Sequence, residues 1–432
     1  MLRTAWMGAA LLAPAVAAAQ QLTVEHAVSE ALESSPRVRA ARSRSDAADA
    51  SAKSLRGRML PLVDVSDEQQ HWNGNFALAF PLPSPTGQSV SLVAREINTN
   101  TFTVAGSQPL VGLLHLSQDH SALSDVAMSA DAELRAAEAG VREDVQTQFL
   151  RLFEARALAE IAQASQKQLA EQIVVAQAKL KAGVLTTAAV LRLQVAAANA
   201  RQQEIQAGAE EQVARASLLE ALGRRSDDVS VSFAEPVALE SVADAPPELT
   251  AAIDGALARR PELESAQRQA SAAQTRALAR GFDLLPEVNL EAAYIHVQGQ
   301  IFAPLDSAFV GIKADWPIWE WGAKWYEHKA AQAQAAAADA QADDARRRVG
   351  SEVAARVAQS RASRSAVEVA QTAIDSAEEA YRVTEALVKA GSATTTDLLD
   401  ALSALTQARL NLVRAKYEYG IARVALTRAI GG

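Results

Sequence analysis

LLHLSQDHSALSDVAMSADAELRAAEAGVREDVQTQFLRLFEARALAEIAQASQKQLAEQIVVAQAKLK, from Leu113 to Lys181, is the most informative part of the sequence. Small and apolar residues recur in it at spacings of three and four, which indicates one uninterrupted helix. A second segment of this kind runs from Ala323 to Lys389. About 70 residues at 1.5 Å each give a helix of about 105 Å, which compact soluble domains rarely use. The chain is therefore predicted to contain two very long helices.

Each long helix is followed by a glycine turn and a returning helix. Gly183 follows the first long helix and Gly391 the second. Glycine is preferred there because it adopts the left-handed backbone conformation that ends a helix. The returning helices are predicted to end at Gly223 and Gly431. Hydrophobic residues make up 49% of the chain and many of them are alanine, so closely packed helices are expected rather than a thick globular core.

The sequence contains an internal repeat. Pro36 is matched by Pro261, an offset of 261 − 36 = 225, and Gly183 by Gly391, an offset of 391 − 183 = 208. Repeats of this kind fix the architecture before any local prediction. The difference, 225 − 208 = 17, indicates one insertion between Val63 and Pro109. It is expected to be a long outer loop, because it includes Pro81, Pro83 and Pro85.

The predicted organisation follows from this repeat. We expect a signal peptide at 1–19, a first repeat at 20–223, a linker at 224–245 and a second repeat at 246–432. The signal peptide is indicated by the basic Arg3, an apolar stretch and the small residues before Gln20. The sequence has no cysteine, so a lipid anchor on a first mature Cys is not expected, nor are disulfides.

Each repeat also contains two β-rich segments. They are predicted at Leu62–Trp72, Asn98–Leu110, Val288–Val297 and Phe309–Ile318. No apolar run is long enough for a membrane helix, so a membrane span would have to use strands. Four strands cannot close a barrel, eight would be filled by side chains, and twelve leave a channel. The predicted fold class is therefore mainly α with a β-barrel contribution, with three chains supplying twelve strands.

Several functional classes are disfavoured. The chain carries 42 Lys and Arg against 51 Asp and Glu, so no basic surface for nucleic acid is indicated. Motifs of metalloproteases, serine hydrolases, dinucleotide-binding proteins and P-loop proteins do not occur. The six histidines are scattered, and His115 and His120 stand five apart, a poor helical spacing for a shared metal. We expect no catalytic residues, no cofactor and no metal.

Aromatic residues lie beside the predicted strands. Such residues mark the membrane boundaries of transmembrane barrels. For each of them, packing between helix and sheet is the alternative interpretation. The predicted membrane-interface aromatics are Trp72, Tyr294, Phe309, Trp316, Trp319 and Trp321.

Five short motifs lie in order along the chain: the opening Leu22-Thr23-Val24-Glu25, the Leu60-Pro61 strand entry, Gln108-Pro109-Leu110, Trp316-Pro317-Ile318 and the closing Tyr417-Glu418-Tyr419. Together they resemble the TolC or outer-membrane efflux family. The resemblance implies a homotrimer with a barrel in the outer membrane and a helical, coiled-coil tunnel in the periplasm. The implied partners are a periplasmic adaptor, an inner-membrane pump or secretion transporter, and outer-membrane lipid. The alternative is a periplasmic coiled-coil adaptor or structural stalk.

The resemblance also implies a periplasmic constriction and a docking surface. Asp397 and Asp400 match acidic positions that line the constriction and select cations, although Asp397 also reads as part of a helix capping box with Thr394. Positions where TolC has a Tyr and an Arg that latch the closed state correspond here to Val388 and Ala393, which implies a different latch. The predicted adaptor-docking turns are Gly183, Val184, Leu185, Thr186, Gly391, Ser392, Ala393 and Thr394, with simple C-capping by glycine as the alternative.

Overall fold

The computed structural model describes residues 21–81, 89–235 and 246–432. The predicted signal peptide, Pro83, Pro85 and residues 236–245 of the predicted linker lie outside the described residues. The eight helices of the described residues are α1 Val24–Ser34, α2 Pro36–Arg58, α3 Gly112–Lys181, α4 Thr187–Ala221, α5 Leu249–Arg259, α6 Pro261–Phe282, α7 Ala323–Lys389 and α8 Thr395–Ala429.

The helices follow the predicted repeat. The two long helices, α3 with 70 residues and α7 with 67, confirm the expected length, and the returning helices α4 and α8 have 35 residues each. Pro36 and Pro261 begin α2 and α6, where proline is tolerated because the first helical N–H has no partner within the helix. No helix in the described ranges is both long and apolar enough to cross a membrane.

The main sheet is antiparallel and has four lateral positions. Its strands are β2 Leu62–His71, β3 Phe76–Pro81, β4 Ser89–Pro109, β6 Glu287–Gln300 and β7 Asp306–Asp315. The order is β2-β4-β6-β7, and β3 also pairs with β4. Because β2 pairs with Asn98–Ser107 and β3 with Ser89–Arg95, these two strands lie end to end along β4.

The insertion is therefore more ordered than the sequence predicted. Its expected description as a long outer loop is wrong for Phe76–Pro81 and Ser89–Arg95, which pair as strands. Pro81 is the last residue of β3, at the edge of the sheet, where a missing N–H is tolerated. The prediction of four strand positions per chain is confirmed, and the extra pairing lengthens one of them.

A second, small sheet was not predicted. Strand β1, Gln21–Leu22, pairs in parallel with β5, Ser232–Phe233, which lies inside the predicted linker. The Phe233 ring packs edge to face against Phe149 of α3, with ring centroids 5.9 Å apart. This part of the linker is therefore joined to the helices by a buried aromatic contact.

The chain divides into two compact units, and each draws on both repeats. One consists of the described residues among 1–39, 136–260 and 349–432. Its apolar clusters are small and rich in alanine and valine, such as that of Ala252, Ala256, Val353 and Leu426. Short side chains let helix backbones approach closely, as expected for a structure made mainly of paired helices.

The other unit, described for residues 40–135 and 261–348 apart from 82–88, contains the main sheet and the adjoining helix ends. It contains a pair of matching histidine contacts. His120 Nδ1 donates to the Ala52 carbonyl oxygen at 3.2 Å, and His328 Nδ1 donates to that of Ala277 at 3.1 Å. These residues are separated by the repeat offsets of 208 and 225. The two histidines therefore join helices in the same way in both repeats.

Candidate functional site

The two faces of the main sheet differ in polarity. Residues directly opposite each other in the register share a face, and alternate residues along a strand share it too. We define the apolar face by the rows that contain Tyr294, Val104 and Val65. Its apolar members are Val63, Val65, Phe102, Val104, Val288, Leu290, Ala292, Tyr294, Val310 and Ile312, and the row of Phe102 also contains Asp67, His296 and Asp306. Many are exposed, including Val310 at 78% and Ile312 at 70%, so no element in the described ranges covers this face.

The opposite, polar face carries hydroxyl and charged groups. Its members include Asp64, Ser66, Glu68, Thr101, Thr103, Ser107, Asn289, Glu291, Ser307 and Lys313. Alternation of apolar and polar side chains along strands is the pattern of transmembrane barrels, in which one face contacts lipid and the other lines the interior. The sheet therefore has the surface chemistry of a wall between lipid and water.

The predicted aromatics do not all share one face. Tyr294 lies on the apolar face, and its hydroxyl donates to Asp306 Oδ1 at 2.6 Å. Phe309 pairs with Ala293 and so lies on the polar face. Trp72 follows β2, donates from its indole nitrogen to Thr99 Oγ1 at 3.1 Å, and is stacked by Arg95 at 3.6 Å from the ring centroid. Thr99 belongs to the polar face, so Trp72 lies there as well.

The remaining aromatics follow β7. Trp316, Trp319 and Trp321 are exposed by 62%, 74% and 85%, and the last two stack edge to face with centroids 5.6 Å apart. Exposed indoles at the end of an apolar strand face have the position expected of interfacial anchors.

The first helix turn follows α3. Gly183 has φ +72°, and the Val184 N–H donates to the Lys179 carbonyl at 2.9 Å, so the turn satisfies a terminal carbonyl of the helix. Thr186 caps α4 and accepts from the Ala189 N–H at 3.3 Å. No atom lies within 4 Å of a Cβ built at Gly183, so the outer side of the turn is open.

The second turn has the same form with a stronger cap. Gly391 has φ +78°, and no atom lies within 4 Å of a Cβ built there. Thr394 Oγ1 accepts from the Asp397 N–H at 3.2 Å, and Asp397 Oδ2 accepts from the Thr394 N–H at 2.8 Å. This is a reciprocal capping box. The glycine C-caps and the Thr394–Asp397 capping box that the sequence indicated are therefore both present in the structure.

The two predicted constriction residues differ in their surroundings. The Thr394 backbone N–H and hydroxyl stabilise the ionised carboxylate and hold the pKa of Asp397 below its usual value. Asp400 is exposed one turn further along α8. The Asp397 carboxylate is therefore held by the helix cap.

A groove joins the two turns. Its lining includes Val184, Leu185, Val388, Ala393 and Thr394, among residues of both turns and the adjoining helices. Arg192 Nη1 donates to Thr396 Oγ1 across it at 2.7 Å, linking α4 to α8. Arg192 is the repeat equivalent of Asp400, since 400 − 192 = 208. From the sequence, Arg192 is recognisable only as the repeat equivalent of Asp400. Its hydrogen bond to Thr396 is visible only in the three-dimensional structure.

The fold and these surfaces define a class of protein: a protomer of an outer-membrane channel with a helical tunnel. The sequence matches the family described as Outer membrane efflux protein over residues 27–224 and 252–432. The chain belongs to this family, whose members are transport channels of the outer membrane rather than enzymes. A comparison with curated protein sequences finds no match.

Solved channels have the same fold. The outer-membrane channel OprN is 20% identical, with a TM-score of 0.80 over 95% of this chain and 90% of OprN. CusC is 18% identical, with a TM-score of 0.82 over 96% of this chain and 93% of its own. VceC, an outer membrane protein from Vibrio cholerae, is 18% identical, with a TM-score of 0.79 over 95% of this chain and 96% of VceC.

Proposed function

We propose that this protein is the passive, homotrimeric exit duct of a tripartite efflux or type I secretion system. The observation that carries the proposal is the sheet, which has an uncovered apolar face and pairs on one side only at β2 and at β7. Unpaired strand edges are not tolerated in lipid, because each unsatisfied backbone group costs several kcal/mol. Three copies would pair these edges and close twelve strand positions around a water-filled interior.

The direction of the strands is compatible with this closure. Strand β2 leaves the helical part of its unit and β7 returns to it, so the two edges run in opposite directions within one chain. The β2 edge of one copy therefore can pair antiparallel with the β7 edge of the next. The apolar face would contact outer-membrane lipid and the polar face would line the pore, with Tyr294 and the tryptophans after β7 at the lipid boundaries.

At the other functional region, the helix turns would lie at the periplasmic end. Asp397 and Asp400 of three copies would bring six carboxylates to the constriction. Carboxylates grouped in this way attract cations and repel anions. The open sides of the turns at Gly183 and Gly391 support docking of a periplasmic adaptor, which would connect the duct to an inner-membrane pump or transporter.

Planar-bilayer recording tests the constriction. A trivalent cation added on the periplasmic side should block the wild-type channel, and Asp400→Asn should weaken the block by about tenfold or more, because it removes three carboxylates from the ring. Asp397→Glu is the matched control: it retains the charge and a carboxylate suited to a capping box. It should remain sensitive to the block. Equal block of wild type, Asp400→Asn and the double variant Asp397→Asn/Asp400→Asn would exclude the acidic constriction.

A further inference from the structure

The paired segments Phe76–Pro81 and Ser89–Arg95, here called the ribbon, extend the sheet beyond its main register. They occur in the first repeat only, where the sequence has its 17-residue insertion, 225 − 208. In the second repeat the corresponding strands β6 and β7 are joined by the short segment 301–305. Each chain therefore carries one ribbon, and a trimer would carry three.

The apolar side chains of the ribbon lie on the opposite face from those of the main sheet. Phe76 is paired with Arg95, whose guanidinium stacks on Trp72 of the polar face. Alternation along β3 then places Leu78 and Phe80 on that face too. Their partners in β4 are Leu92 and Val90.

A bulge accounts for this change of face. The register shifts by one residue between Phe76 and Ala77, so that Ala77 pairs with Val93 rather than Ala94. A shift of one residue moves every following side chain to the other face. The register of β4 against β6 also shifts, between Arg95 and Asn100. Arg95 still lies on the polar side, because it stacks on Trp72. Even-numbered residues of β4 such as Phe102 and Val104 are therefore on the apolar face of the main sheet, whereas Leu92, beyond the bulge at Ala94, is on the continuation of the polar face.

The described residues leave the resulting apolar stripe uncovered. Its members Phe76, Leu78, Phe80, Val90 and Leu92 are exposed by 53%, 36%, 49%, 44% and 42%. The other side of the ribbon, which continues the lipid-facing side of the sheet, carries Val93 and otherwise the smaller residues Ala77, Ala79, Pro81, Ser89 and Ser91. A ribbon inserted in lipid would need its large apolar groups on that side, and they are on the other.

We propose that the stripes of three copies meet around the channel axis and form an apolar constriction at the outer end of the duct. This inference rests on the proposed trimeric duct, in which the polar face lines the pore. Each stripe would therefore be covered by the equivalent stripes of the two neighbouring copies. Apolar side chains that would otherwise face water would be buried against one another, which favours the closed arrangement.

Single-cysteine variants test the proposal, because the native chain contains no cysteine. Leu78→Cys and Phe80→Cys should give a covalent dimer on oxidation in intact outer membranes, because a disulfide needs Cβ atoms within about 4.5 Å. Ala79→Cys is the matched control on the opposite side of the ribbon, and should stay monomeric on a denaturing gel. Phe80→Ser should also raise the single-channel conductance, and Ala79→Ser should leave it unchanged.

The outcome separates this proposal from the proposed function. The unheated gel first establishes that each variant is a trimer, and bilayer recording establishes that it conducts. The proposed constriction would be overturned if the variants form conducting trimers, neither Leu78→Cys nor Phe80→Cys crosslinks, and Phe80→Ser leaves the conductance unchanged. The proposed duct would then still stand. A fluorophore attached to Phe80→Cys should not be quenched by brominated lipid. If it is quenched, the stripe lies in the membrane and the proposed constriction is wrong. A protein that forms no trimer would overturn both.

Discussion

Burial within the packed helices shifts the pKa values of two residues, Glu154 and Tyr417. Burial is the largest cause that raises the pKa of Glu154 on α3, and the nearby Glu418 raises it further, while Arg414 and Arg151 oppose the shift. Burial likewise raises the pKa of Tyr417 to about 12. Because burial is the first cause in both cases, helix packing has a larger effect on these groups than any ion pair.

The raised pKa of Glu154 predicts the pH dependence of one substitution. The folded state binds this proton more readily than the unfolded state does, so ionisation of Glu154 lowers stability as pH rises above its usual value, 4.5. Glu154→Gln should therefore raise the unfolding temperature at about pH 8. At about pH 4 the carboxyl is mostly protonated in both states, so the substitution should have little effect. Circular dichroism melts in detergent measure this difference.

Glu171→Gln, at an exposed position of the same helix, is the control and should leave the melt unchanged at both pH values. A lower unfolding temperature for Glu154→Gln at the higher pH would contradict the prediction, since it would mean that the arginines outweigh burial.

At the scale of elements, the sequence predicted the helices closely and the sheet less well. Helix ends are encoded locally: Gly183 and Gly391 adopt positive φ, and Pro36 and Pro261 start helices. The extra strand β3 was missed because it ends at Pro81, in a proline-containing stretch that favours a loop, although Pro81 is tolerated at the sheet edge. The bond of Arg192 to Thr396 was missed because the two residues are 204 positions apart.

The turn elements predict where export can be blocked. Val184 is 74% exposed, and its repeat equivalent Ser392 is also exposed. Val184→Trp and Ser392→Trp should add bulk to the docking surface without straining the glycines, and so abolish export and adaptor crosslinking while trimer content stays normal. Val229→Trp is the control: Val229 is 89% exposed and follows the other end of α4. Normal export by both turn variants would show that docking occurs elsewhere.

For the whole molecule, the decisive feature is that one chain cannot pair the edge strands of its main sheet or cover the apolar face of that sheet. The apolar face and the two edge strands require partners, and the family to which the chain belongs forms trimeric channels. The helices can pack within the chain, since their clusters are buried. Assembly should therefore depend on the sheet more than on the helices.

The sheet faces predict which substitutions prevent assembly. Val310 lies in the middle of the apolar face and Ser307, three residues earlier in β7, lies on the polar face. A lysine facing lipid at the bilayer centre costs about 2–4 kcal/mol, whereas one in a water-filled interior costs little. Val310→Lys should therefore reduce the trimer band of unheated, detergent-extracted outer membranes, near three times the monomer mass, and Ser307→Lys should retain it. Boiling should convert the remaining trimer to monomer. Equal trimer yields for the two variants would contradict the assignment of the faces, and a stable wild-type monomer in detergent would contradict closure by three copies.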